Sequence, residues 1–142
     1  MPINVLMVED NPADVRLTQE AFRDANPSIQ LHVVPDGVEA MAFLWQQGVH
    51  FDDPCPDLIL LDLNLPKMDG REVLTHIKAD ARLRSIPTVV LTASGAEADI
   101  VKTYQLQANC YLVKPVQLDA FEALLKGVND FWLVRIKLPQ QK

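Results

Sequence analysis

The sequence predicts an open, doubly wound α/β fold, a five-stranded parallel sheet covered by five helices. Three observations carry that prediction. Short β-rich runs alternate with amphipathic helical runs along the chain. One run, Leu58 to Leu61, is apolar at every position, as a central parallel strand covered on both faces must be. The strand-to-helix links are short, which forces parallel pairing with right-handed crossovers. The chain has 142 residues, enough for one domain, and its 49% apolar fraction can supply a core.

Ile3 to Val8 is the first strand, ending at Glu9-Asp10-Asn11-Pro12. Asn11 is placed to cap a helix, with Pro12 in the first turn where a missing N–H costs nothing. That helix carries Val15, Thr18, Phe22 and Ala25 on one face, with Leu17 and Ala21 beside them, and Pro27 ends it. Ile29 to Val34 is the second strand. Asp36-Gly37 then turns into a helix bearing Val38, Met41, Ala42, Leu44 and Trp45 at helical spacing. Gly48 to Pro56 (GVHFDDPCP) breaks every period and reads as a long loop. After the third strand, Leu58 to Leu61, a loop held by Pro66 leads to Gly70, which opens a helix with Val73, Leu74 and Ile77. Pro87 to Leu91 is the fourth strand, and Ala96 to Leu106 the fourth helix, with Ile100, Val101 and Tyr104. Cys110 to Val113 is the fifth strand. The last helix runs from Leu118 to about Phe131, with Leu118, Phe121, Leu124, Leu125 and Val128 facing inward.

The formal net charge of −6 repels phosphate backbones and anionic lipid, so neither nucleic acid nor a membrane surface is an expected partner. The same charge also serves solubility. Cys55 and Cys110 form no CxxC pair and have no histidine at metal-ligand spacing. No basic n-region precedes a long apolar run, and no stretch approaches the roughly 18 apolar residues of a membrane span. A cytoplasmic location is expected.

In a parallel sheet of this kind the ligand site lies at the carboxyl ends of the strands. Strand one ends in Glu9-Asp10, strand three in Asp62, strand four in Thr92-Ala93, and strand five in Lys114-Pro115. These positions would converge on three carboxylates, a hydroxyl and an ammonium. Clustered carboxylates repel unless a cation sits among them, and hard oxygens at low ligand number suit Mg²⁺, which shares its ligands with phosphate. A carboxylate such as Asp62 is a competent nucleophile toward phosphorus, and the work left to the site is positioning and charge neutralisation. Taken singly, each residue has a plain structural reading. Asp10 could be a turn residue and Glu9 a surface acid; Thr92 or Ser94 could cap the fourth helix; Lys114 could be solvated and Tyr111 plain strand packing. Together, four suitable residue types at four strand ends in order are hard to obtain by accident.

Val8-Glu9-Asp10-Asn11, Leu58 to Gly70 (LILLDLNLPKMDG), Pro87 to Ala93 (PTVVLTA) and Tyr111-Leu112-Val113-Lys114-Pro115 resemble the receiver (CheY-like) family of two-component response regulators over residues 3 to 130. The resemblance implies a flavodoxin-like sheet of strand order 2-1-3-4-5, a receiver domain over 1–130, and an apolar extension over 131–142. It makes Asp62 the phosphoacceptor. Mg²⁺ would be held by Asp10 and Asp62, by Glu9 through water, and by the carbonyl of Asn64. Lys114 would pair with the phosphoryl oxygens, and Thr92, followed by Ala93, would move to hydrogen-bond them while Tyr111 rotates inward. The Lys114-Pro115 bond resembles the family's cis peptide, an isomer that proline makes accessible.

The long loop at Gly48 to Pro56, Asn109 to Leu112 and the apolar tail resemble the small regulators of cyanobacterial phytochromes, so the expected phosphodonor is a sensor histidine kinase joined to such a photoreceptor. The family commonly has glycine where Gln107 stands before Ala108, and a non-glycine left-handed cap costs about 1 kcal/mol. The tail from Phe131 to Lys142 is too short for an effector domain, so output by protein contact is expected. Phe131, Trp132, Leu133, Val134, Ile136 and Leu138 either fold back or, with the helix-4/strand-5/helix-5 face, support a homodimer. The protein is expected to be a switch that catalyses only its own phosphoryl transfer and dephosphorylation. A phosphatase of the haloacid dehalogenase type would want a second Asp at position 64, which is Asn.

Overall fold

The computed structural model describes residues 2–135, with side chains through Trp132. Five strands, β1 (Ile3–Val8), β2 (Ile29–Val34), β3 (Leu58–Leu61), β4 (Thr88–Thr92) and β5 (Cys110–Val113), alternate with α1 (Pro12–Ala25), α2 (Gly37–Leu44), α3 (Gly70–Ala79), α4 (Glu97–Gln105) and α5 (Leu118–Val128). All strand pairs are parallel, in the order β2-β1-β3-β4-β5. Chain order reverses between β1 and β3, which opens a crevice at their carboxyl ends.

Strand alternation divides the core. Val5, Met7, Leu58, Leu60, Val89 and Leu91 point to one face, where Ala21 and Phe22 of α1 and Phe121, Leu125 and Val128 of α5 cover them. Leu6, Val8, Ile59, Leu61 and Val90 point to the other, against Met41 and Phe43 of α2 and Val73, Leu74 and Ile77 of α3. This alternation is why β3 is apolar at every position.

The helix starts follow local chemistry. The Asn11 side chain accepts from the N–H groups of Ala13 and Asp14, with Pro12 at the first helical position. Asp36 accepts from Glu39 N–H at 2.8 Å. Asp69 caps α3 through Arg71 N–H at 2.8 Å.

One expectation needs correction, and the structure decides two points that the sequence leaves open. Leu118, the first residue of α5, is 73% exposed, because a helix's first position has no preceding turn beside it to share its burial. In α4 the buried residue is Thr103, while Val101 and Tyr104 are exposed; this short helix lies against the sheet edge and buries only a narrow stripe. The cap of α4 is Ala96, not Thr92 or Ser94. Thr92 is the last residue of β4, and strand pairing holds it inside the sheet.

Gln107 adopts φ +72°, the left-handed conformation that glycine commonly supplies. Its N–H donates to the Tyr104 carbonyl at 2.9 Å, so the turn closing α4 is kept despite the side chain. The long loop contains a 3₁₀ turn at Gly48–His50. His50 ties it down: Nε2 meets Glu39 Oε2 at 2.8 Å and Nδ1 meets Asp53 Oδ2 at 2.6 Å. Beyond α5 the backbone continues as a π-helical segment, Asn129–Arg135. Trp132 packs on the α1/α5 side of the core, whereas Phe131 is exposed. The side chains of Leu133 and Val134, and all of Ile136 and Leu138, lie outside the described residues.

Gly70 has no room for a side chain. A Cβ there would lie 2.2 Å from the Asp62 carbonyl oxygen and 2.6 Å from Leu63 Cα, both backbone atoms that cannot swing aside. Gly127 in α5 has nothing within 4 Å of the equivalent position. Gly70→Ala should therefore cost on the order of 1–3 kcal/mol through overpacking, while Gly127→Ala should stabilise by about 0.5–1 kcal/mol. Urea midpoints of the two variants check the opposite signs.

The hydrogen bonds to Glu39 and then Asp53 raise the His50 pKa above its ordinary 6.5. A raised histidine pKa adds stability that is complete below pH 6.5 and is lost as pH rises through the folded-state value. His50→Gln should flatten this part of the stability profile. Melting temperatures at intervals from pH 5.5 to 9 (about one unit below and two or more above the reference value) read it, and a profile unchanged by the substitution refutes the assignment.

Candidate phosphoryl and cation site

Three charged residues of the site, Glu9, Asp62 and Lys114, are each the next rung beyond a strand. Glu9 N–H donates to Val34 O at 3.0 Å, Asp62 N–H to Val8 O at 3.2 Å, and Lys114 N–H to Thr92 O at 2.8 Å. Parallel pairing thus fixes the backbone of residues 53 and 105 positions apart from Glu9 at one edge of the sheet. Gly70, packed on the Asp62 carbonyl, closes the loop after β3 against the site.

The Lys114 ammonium lies at the centre. It donates to Glu9 Oε1, to Asp14 Oδ2 at 2.9 Å and to Asp62 Oδ2 at 3.3 Å. Glu9 is only 3% exposed and Asp62 7%. Glu9, Asp10 and Asp62 each offer a carboxylate oxygen, all within 4.8 Å of one another. Glu9 and Asp62 are buried and Asp10 is exposed, so the cluster has a dry floor and a wet rim. This all-oxygen donor set fits a hard divalent cation.

Burial pushes the Glu9 carboxyl up to about 7, with the Asp62 charge adding to the rise and the Lys114 contact opposing it. Burial alone would lower Lys114, but its bonds to Glu9 and Asp14 and the charge on Asp62 outweigh that and hold it above the ordinary lysine value. These directions pull against each other across one contact. The ammonium's charge is the firmer of the two, because three carboxylates touch it.

The remaining predicted residues surround this centre. Asn64 is exposed, and its N–H donates to Asp62 Oδ1 at 3.2 Å. Thr92 is fully buried, and its hydroxyl makes no hydrogen bond among the described residues. Ala93 is exposed beside it. The Tyr111 hydroxyl donates to the Ser94 carbonyl at 2.7 Å, and the Tyr111 N–H donates to the Tyr104 hydroxyl at 3.1 Å. The Lys114–Pro115 peptide is trans, there being no cis peptide bond among the described residues, which corrects the expectation at Pro115. Proline narrows the gap between isomers to roughly 0.5–1 kcal/mol and so permits cis without imposing it.

Two features were missed in the sequence. Asp14 has the position of an ordinary first-turn acid, yet it reaches Lys114. Arg71 bridges Asp69 at 3.1 Å and Asp99 at 2.7 Å, and Asp99 accepts from the Ser94 hydroxyl at 2.6 Å. The start of α3 is thereby tied to the loop between β4 and α4. The one available signal was residue type: acids in the first turns of α1 and α4, with their partners far away in sequence.

Comparison with known proteins agrees with this arrangement. A family model described as the response regulator receiver domain matches residues 5–126. The chain is 48% identical to the response regulator Rcp1 of Synechocystis over 138 residues, 97% of this chain and 94% of that protein. The Mn²⁺-bound crystal structure of Rcp1 superposes with a TM-score of 0.95 at 47% identity, covering 98% of this chain and all of that one. The phosphorylated cyanobacterial phytochrome response regulator RcpA gives 0.96 at 47% identity, covering 99% of this chain and all of that one. With its strand order, its acidic crevice and its lysine beside Asp62, the chain belongs to the response regulator receiver domain family.

Proposed function

We propose that Asp62 accepts a phosphoryl group from a sensor histidine kinase linked to a phytochrome, and that the resulting acyl phosphate switches a protein-contact surface. The observation that carries this reading is the Lys114 ammonium, within hydrogen-bond reach of Asp62 and Glu9 beside Asp10's carboxylate. An Asp62 oxygen attacks phosphorus and the bond to the donor nitrogen breaks; the lysine neutralises charge on the oxygens in flight. Asp10 and Asp62, with Glu9 through water and the Asn64 carbonyl, would hold Mg²⁺, which supplies charge neutralisation when bound. The likeness to RcpA, a cyanobacterial phytochrome response regulator, supports the photoreceptor link. The chain's chemistry is confined to its own phosphorylation and dephosphorylation, with no turnover of an external metabolite.

Phosphorylation adds roughly two negative charges and three acceptor oxygens. Thr92 has a buried hydroxyl without an acceptor, and the phosphoryl group supplies one. Moving Thr92 and Ala93 shifts the loop that Tyr111 and Asp99 hold at Ser94, and with it the α4/β5/α5 face. Val101, Tyr104, Val113 and Phe131 are exposed, and this apolar surface, with the 131–142 extension beyond the 1–130 receiver domain, supports a homodimer.

Incubation with a small phosphodonor and Mg²⁺, read by intact mass, should add one phosphoryl group to the wild type and none to Asp62→Asn; equal gain in both refutes the site. Sedimentation should show a dimer that Tyr104→Glu weakens. Monomer alone at high concentration, with and without phosphodonor, rules the dimer out.

A further inference from the structure

We propose that Asp14 restrains phosphorylation, as a positioning residue that holds the Lys114 ammonium away from the incoming phosphoryl group. The inference rests on the reading of Asp62 as phosphoacceptor. Lys114 has three N–H donors, and all three are engaged, by Glu9, Asp14 and Asp62. A phosphoryl group arriving at Asp62 needs at least one of them. Glu9 and Asp62 belong to the group able to hold a cation, and Asp14 does not. Its carboxylate is therefore the partner of Lys114 that no bound cation screens directly.

Asp14 is not needed to start its helix, because Asn11 caps α1. The Thr18 hydroxyl bonds the Asp14 carbonyl, not its side chain. What the carboxylate contributes is a charge, 2.9 Å from an ammonium that is 9% exposed and 100 residues away in sequence. The donor brings further negative charge to a crevice already holding Glu9, Asp10 and Asp62. Asp14 acts on the transfer in two ways that add: it repels the donor, and it shares the cation that should stabilise the transferring oxygens. In the step itself an Asp62 oxygen forms the bond to phosphorus. The donor's P–N bond breaks, and its electron pair leaves with the nitrogen, which takes its proton from solvent.

The test compares initial phosphorylation rates with phosphoramidate at saturating Mg²⁺, followed by intact mass, for wild type, Asp14→Asn, Asp14→Ser and Asp14→Glu. The neutral variants should be roughly three- to tenfold faster, the scale of removing one unit charge across a half-solvated site. Their advantage should shrink as salt rises, because screening acts on charge and not on packing. Asp14→Glu restores the charge and should bring the rate back toward wild type. Neutral variants that are no faster, or faster by a factor that salt leaves untouched, overturn the inference while a phosphorylated wild type upholds the reading of Asp62. A wild type that takes up no phosphoryl group overturns both.

Discussion

Two buried carboxylates and one ammonium at the end of the sheet set the terms for the rest of the site. Glu9 and Asp62 are themselves buried and directly follow Val8 and Leu61, the buried apolar ends of β1 and β3. Burying an anion costs several kcal/mol unless it is paired, and Lys114 is the pair for both. The lysine is thus structural before it is chemical. Every element that places it acts on the electrostatics: the pairing of β4 with β5, the backbone bond from Lys114 to Thr92, and the reach of α1. The raised Glu9 pKa reports the same balance, burial and the Asp62 charge outweighing the contact with the ammonium.

Such a cluster must be held from outside as well. Gly37 shows how: a Cβ there would lie 2.2 Å from the Met68 carbonyl oxygen, so the start of α2 is fitted against the loop after β3 as closely as Gly70 is fitted beneath Asp62. Lys67, in the same loop, adopts φ +65° and reaches Asp36, the cap of α2, at 3.5 Å. The loop carrying Asn64 is therefore gripped by backbone packing, which side-chain rearrangement cannot easily release. The proposed charge on Asp62 would thus be added to a main chain already held by close backbone packing.

Much of this was legible in the sequence because it rests on local rules. Asn11-Pro12 and Asp36-Gly37 are cap chemistry, Leu58 to Leu61 is the period of a doubly covered strand, and one topological rule carries Glu9, Asp10, Asp62 and Lys114 to one edge. The failures are of a different kind. Leu118 has the right helical phase for the core and yet is exposed at the first position of α5. In α4 the spacing of Ile100, Val101 and Tyr104 leaves the buried face undecided, and Thr103 is the residue that occupies it. Asp14 obeys the helix-start rule so well that nothing local marks its second role. Its partner depends on how α1 is rotated over the sheet, a property of packing and not of spacing. The Lys114–Pro115 isomer turns on a gap too small for sequence to decide.

The Thr92 hydroxyl connects these constraints to signalling. A buried hydroxyl without a partner costs on the order of 1–3 kcal/mol, a penalty carried at the one strand end where the proposed phosphoryl group would supply an acceptor. Two residues on, Ser94 is bound from both sides, its carbonyl by Tyr111 of β5 and its hydroxyl by Asp99 of α4. Asp99 is bound in turn by Arg71, whose other partner, Asp69, caps α3. Satisfying Thr92 would therefore pull on a loop whose anchors lie on the output face and beside the phosphorylation loop. A freely mobile loop would absorb that pull and transmit nothing. A loop anchored at both ends would have to exchange one set of bonds for another, and in the proposed function that exchange would let a charge added at Asp62 select between two surfaces.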